Sequence, residues 1–180
     1  VTVVPPDLVE CTVEKVAVNA VMAGARPEYF PVILALAATG VTARSSSSSA
    51  MAAMAVVNGP VRSEIGMNAG TGAMGPYNHA NATIGRALQL IVRNVGGGRP
   101  GELDRATLGG PGKYTFCFAE DESDPTWMPL AQARGIPAGR DAVTLFQQMV
   151  SRRVTSPSVY HNLAYALERL GRHDEAADAL

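Results

Sequence analysis

The stretch that most constrains this chain runs from residue 58 to residue 95, NGPVRSEIGMNAGTGAMGPYNHANATIGRALQLIVRNV. Gly66, Gly70, Gly72, Gly75 and Pro76 are interleaved with Asn58, Asn68, Asn78 and Asn81, and an apolar-periodic segment follows at once. A segment so punctuated builds no core. Glycine lets backbone adopt positive φ and approach a ligand closely, and asparagine supplies short amide hydrogen bonds and tolerates left-handed backbone. The helix predicted next offers unpaired N–H groups and the positive end of its dipole. The pattern points to a small polar or anionic group held where loop meets helix. The same residues also suit a purely architectural loop.

The chain has 180 residues, 47% of them hydrophobic, which suits one domain with a proper core and a short appendage. Its 15 basic and 16 acidic residues leave a formal charge of −1, which argues against nucleic acid or an anionic membrane as the main partner. The near-apolar run from Tyr29 to Val41 is too short to span a bilayer and carries Pro31 and Gly40. Residues 1–9 lack the basic start and apolar run of a signal peptide, so the expected compartment is the cytoplasm. A start at Val1 reads as part of a longer protein. Cys11 and Cys117 form no CxxC pair and no metal-ligand spacing, so no metal site is expected. They read as two reduced thiols, with a nucleophilic or redox Cys117 as the sharper alternative.

Periodicity places the elements. VTVV at 1–4 is a short β-branched run stopped by Pro5 and Pro6. Thr12 suits the N-cap of a helix over 13–23 that stops at Gly24, with Asn19 off its apolar stripe. Pro27 and Glu28 suit the start of a second helix, continuing from Tyr29 to Ala38. The serine run within 42–50 predicts a surface loop, with a lid as the alternative. MAAMAVV at 51–57 reads as a buried strand, and 62–65 as a helical turn. A helix over 82–95 presents Ile84, Ala87, Leu88, Ile91, Val92 and Val95 on one stripe, with Asn81 at its start. KYTFCFA at 113–119 alternates as a strand, 142–146 is a further strand, and a helix starts at 147–153. The expected fold is α/β, with a mixed or parallel sheet and helices on both faces, over residues 1–153. Residues 154–180 contain NLAYALERLGRHDEAADAL, which resembles a single tetratricopeptide-type helical hairpin.

Individual motifs carry less. Gly70-Thr71-Gly72-Ala73-Met74-Gly75 satisfies GxGxxG literally, but the preceding strand ends too early and no acid lies about twenty residues on. His79 is the histidine placed to act as an acid or base, although with no Asp partner nearby in sequence a polar loop residue is the plainer reading. Glu120, Asp121 and Glu122 follow a strand, where α/β proteins place functional groups and where solvated turns also occur. Lys113, after a Gly-Pro-Gly loop, is a candidate contact for a phosphate or carboxylate. The catalytic candidates are therefore His79, Glu120 and Cys117. The binding candidates are Asn19, Arg26, Glu28, Asn58, Asn68, Gly70, Gly72, Gly75, Asn78, Asn81 and Lys113. No cofactor is assigned.

The segments VEKVAVNAVMAGARPEYFPVILA, VVNGP, NAGTGAMGPYNHANATIGRALQLIVRNVGG and RPGELDRATLGGPGKYTFCFAE together carry a family resemblance over about residues 1–150. They resemble the C-terminal half of the UGSC-family (seleno)proteins, which are distantly similar to the selenoprotein B component of glycine reductase. The resemblance implies an α/β domain working beside a redox half that carries selenocysteine-Gly-Ser-Cys or its Cys version. No such motif occurs in this chain, and Ala25 stands where family members often carry Cys. The resulting expectation is a substrate-binding domain of a thiol- or selenol-dependent reductase-like protein. It would hold a small anionic molecule, with the redox half or a partner protein supplying the nucleophile. The alternative is a non-catalytic interaction module that uses the repeat-like tail.

Overall fold

The structure is a computed structural model that describes residues 1–4, 8–40 and 51–147. These residues belong to one compact unit, Val1–Gln148. The serine run, the repeat-like hairpin over 154–180 and all but the first residue of the helix expected over 147–153 lie outside the described residues; Gln147 itself ends a strand, not a helix.

The first helix begins where the sequence places it. Thr12 is extended, at φ −78° and ψ 164°, and its hydroxyl accepts from Lys15 N–H, capping α1 (Val13–Met22). Gly24 follows with φ +78°. Pro27–Tyr29 form a 3-10 turn that leads into α2 (Phe30–Ala38). Before α1, β1 (Thr2–Val4) pairs antiparallel with β2 (Val9–Cys11), a strand the sequence reading did not separate out. That pairing turns Val4 and Cys11 into the core.

The central unit is a strand–helix–strand crossover. β3 (Ala53–Asn58) leads through α3 (Val61–Glu64) and the Gly/Asn loop into α4 (His79–Asn94). The chain then returns as β4 (Cys117–Ala119), parallel to β3 in the register Ala55↔Cys117 and Val57↔Ala119. β5 (Ala142–Gln147) pairs antiparallel along the other edge of β3, so the order β4-β3-β5 is a mixed sheet. Ala53, Ala55 and Val57 face the helices and join a core with Val16, Ile33, Leu36, Ile84, Leu88 and Ile91. The short α5 (Leu130–Ala133) lies on the opposite face, where Arg134 sits 5.3 Å over the Phe146 ring. Helices thus occupy both faces of a mixed sheet, as expected.

Two boundaries differ most from the sequence reading. α4 starts at His79 rather than near residue 82, because the cap is Asn78, whose side chain accepts from Asn81 N–H at 2.9 Å. Asn81 therefore lies inside the first turn. β4 keeps only the last three residues of the strand expected over 113–119. Upstream, Pro111–Lys113 make a 3-10 turn and the Thr115 hydroxyl donates to Ala82 C=O at 2.8 Å, which ties this stretch to α4 rather than to the sheet.

Candidate functional site

In open α/β sheets the crevice lies beyond the carboxyl ends of the parallel strands. Here that end gathers Asn58 and Gly59 from β3, Glu120 after β4, and the Gly/Asn loop leading into α4. Ala119 N–H donates to Asn68 C=O, so the loop starts against the end of β4.

The loop is held by its own asparagines. Asn81, 2% exposed, accepts from Asn68 N–H through Oδ1 and donates through Nδ2 to the carbonyls of Asn68 and Ala73, at 2.8 and 3.0 Å. Asn78 caps α4 and donates to Gly66 C=O. Asn68 donates to Thr71 C=O and accepts from Gly70 N–H. These amides fix backbone and do not stand free for a ligand. What the arrangement presents is main chain: among the described residues, the N–H groups of Thr71, Gly72, Met74, His79 and Ala80 have no acceptor. They cluster at and just before the N-terminus of a 16-residue helix, where backbone donors and the dipole favour negative charge. Gly72 takes φ +73°, whereas Gly70 and Gly75 stay outside the left-handed region. Tyr29 packs on His79 with ring centroids 5.8 Å apart, which brings the turn carrying exposed Arg26 and Glu28 beside the first turn of α4.

Several candidates sit elsewhere. Asn19 is buried between helices, donating to Lys15 C=O and accepting from Asn94 at 2.7 Å, a helix-to-helix tie. Lys113 pairs with Asp104 at 2.6 Å. Cys117 faces the core under α4, and burial pushes its thiol up to about 12. Burial also raises the fully enclosed Cys11. A thiol so placed is not a nucleophile at neutral pH. His79, Glu120 and Cys117 share no hydrogen bond or ion pair and form no catalytic constellation among the described residues.

In the native chain at pH 8, neither cysteine should react with a thiol reagent, and both should react once guanidinium unfolds it. Rapid native labelling of Cys117 would contradict its burial. Because folding holds this thiol protonated above its ordinary 9.0, its contribution to stability is complete below pH 9 and is lost as pH rises toward 12. Denaturant titrations at pH 8 and above pH 10 should show that loss in the parent and less of it in Cys117→Ala.

The second feature at the strand ends is a charged clamp that the sequence reading assembled only in part. Asn58 is 1% exposed, and its Nδ2 donates to Glu120 at 2.6 Å and to Glu122 at 2.8 Å. Glu122 also accepts from Gly59 N–H and pairs with Arg62 at 3.2 Å. Arg62 donates further to the carbonyls of Gly59 and Glu120. Burial would raise the Glu120 carboxyl, but hydrogen bonds from Asn58, Trp127 and Leu130 N–H, with the Arg62 charge, bring it below its ordinary value. Asn58 Oδ1 has no partner among the described residues although it is buried. Arg62 and Trp127 were missed as site residues because their partners lie far along the chain or within an irregular stretch.

Among the described residues, no set of three His, Cys, Asp or Glu side chains is placed to hold a metal ion. No helix among them is long and apolar enough to cross a membrane. Comparisons with protein-family models, with curated proteins and with solved structures return no match.

Proposed function

We propose that this domain binds a small anionic substrate at the Gly/Asn loop, as the substrate-binding part of a thiol- or selenol-dependent reductase-like protein. The observation that carries the binding reading is the stapled loop at the start of α4, with N–H groups lacking acceptors and Arg26 on the neighbouring turn. Backbone held in place by buried amides costs little reorganisation when an anion arrives. The division of labour has its own support: both cysteines of the chain are buried and their thiols are raised, so the nucleophile would come from a separate redox half or partner. His79, in the first turn of α4, then acts on substrate delivered to that nucleophile. The reading as an interaction module rests on residues 154–180, which lie outside the described residues.

Calorimetric titration of the parent with acetate, glycine and phosphate tests the binding reading. Arg26→Ala should weaken the best anion by about 1.5–3 kcal/mol if Arg26 makes a charge-assisted hydrogen bond. Equal affinity in parent and variant would remove Arg26 from the site.

A further inference from the structure

The sheet face opposite the three long helices carries a feature that the anion-binding reading does not use. An open groove of about 340 Å³ is floored by Val56 and Phe118 and walled by Trp127, Met128, Leu130 and Ala133, with Glu120 at its rim. That volume falls within the range of small-molecule sites. Trp127 is 61% exposed and Met128 66% exposed, so a large apolar surface faces solvent here. The indole N–H donates to Glu120 at 2.8 Å, which fixes the ring edge and leaves its face available.

The polar end of the groove is acidic: Glu120 lines it, and while its Oε2 accepts from Asn58 and Leu130 N–H, its Oε1 accepts from the Trp127 indole N–H alone among the described residues. Glu120 and Glu122 stand beside Asp121 and Asp124, whose carboxyls are held below their ordinary values chiefly by hydrogen bonds from Ser123 and Thr126. The guanidinium facing them, Arg62, is already committed to Glu122 and to two carbonyls. Asn58 donates into this cluster through Nδ2, with its own Oδ1 buried and without a partner among the described residues. A ligand that completes the arrangement brings hydrogen-bond donors and positive charge at one end and an apolar body at the other.

We propose that this groove binds a small organic ammonium ion. The apolar body lies on Val56, Phe118 and Leu130, and the ammonium sits at the Glu120 carboxylate against the face of Trp127. The contact combines ion pairing with cation–π attraction. A carboxylate of the same shape meets like charge, and a neutral alcohol forgoes the ion pair. The proposal is independent of the anion site on the loop.

Trp127 is the single tryptophan of the chain, so its emission reports on the groove directly. The native chain is titrated with 2-phenylethylammonium, 2-phenylethanol and 3-phenylpropionate at low salt. Saturable change with the amine is expected, at an affinity about tenfold or more above that of the alcohol and the acid. Glu120→Gln should bring the amine down to the alcohol. Because Glu120→Gln could also disturb the clamp, the ligand series on the unaltered chain decides the matter. No saturable change with the amine, or equal affinity for amine and alcohol, overturns the proposal. So does an unchanged amine affinity in a folded Glu120→Gln variant.

Discussion

Gly85→Ala should lower the stability of this domain by about 3 kcal/mol, within or slightly above the usual range for overpacking, and lower its melting temperature by roughly 10 °C. Helix propensity alone predicts the opposite, since alanine is favoured over glycine inside a helix by ~1 kcal/mol. The clash decides. A Cβ at Gly85 would overlap the Thr115 hydroxyl, lie 2.9 Å from Phe116 N and lie 3.0 Å from Cys117 Cβ. Phe116 N is backbone just before β4, and Thr115 is tied to α4 by its bond to Ala82 C=O. Neither can retreat without moving the strand that carries Glu120. Thermal melts check this, and a Gly85→Ala variant as stable as the parent would mean that α4 and β4 are not in close contact.

Asn81→Ala should also be costly, by about 2–3 kcal/mol, because it leaves part-buried backbone groups without partners rather than merely removing a favourable contact. The groups orphaned are Asn68 N–H and Ala73 C=O, while Asn68 C=O keeps only its bond from Ala119 N–H. The helix keeps its cap, since Asn78 remains, so the loss is expected in the loop and not as fraying of α4. Amide hydrogen exchange should quicken over 66–78 and stay slow over the buried middle of α4. Uniform quickening of the helix would assign Asn81 the capping role that the structure gives to Asn78.

That pair of asparagines shows what the sequence could and could not convey. Asn78 and Asn81 lie three apart before an apolar stripe, and either could cap a helix. Choosing between them requires Asn68, whose main chain occupies the amide of Asn81 and leaves Asn78 for the helix. Local signals placed α1, α2, β3 and β5, because Thr12, Gly24, Pro27 and the apolar run before Asn58 act through their immediate neighbours. The clamp was legible only as a charge run after a strand. Asn58 meets Glu120 and Glu122 across 62 and 64 residues, a meeting made by the parallel pairing of β3 with β4. Cys117 was open as a nucleophile in the sequence because alternation does not say which face of a strand is sealed. Its pairing with Ala55 turns it under α4.

The central claim is that the Gly/Asn loop offers backbone to an anion, and Gly70 tests it most directly. Gly72 is a weaker probe, since its φ of +73° makes any side chain strained whatever the loop binds. Gly70 is outside that region, and a Cβ there meets nothing closer than Asn68 Oδ1 at 3.9 Å. Gly70→Val therefore adds bulk at the loop surface with little expected change in melting temperature. Calorimetric titration of parent and Gly70→Val with acetate, glycine and phosphate, beside their thermal melts, is the measurement. The account predicts saturable anion binding by the parent and about a tenfold or greater loss in a variant that melts with it. A parent that binds none of these anions, or a Gly70→Val chain that binds them equally well, would show that the loop is architecture and not a binding site.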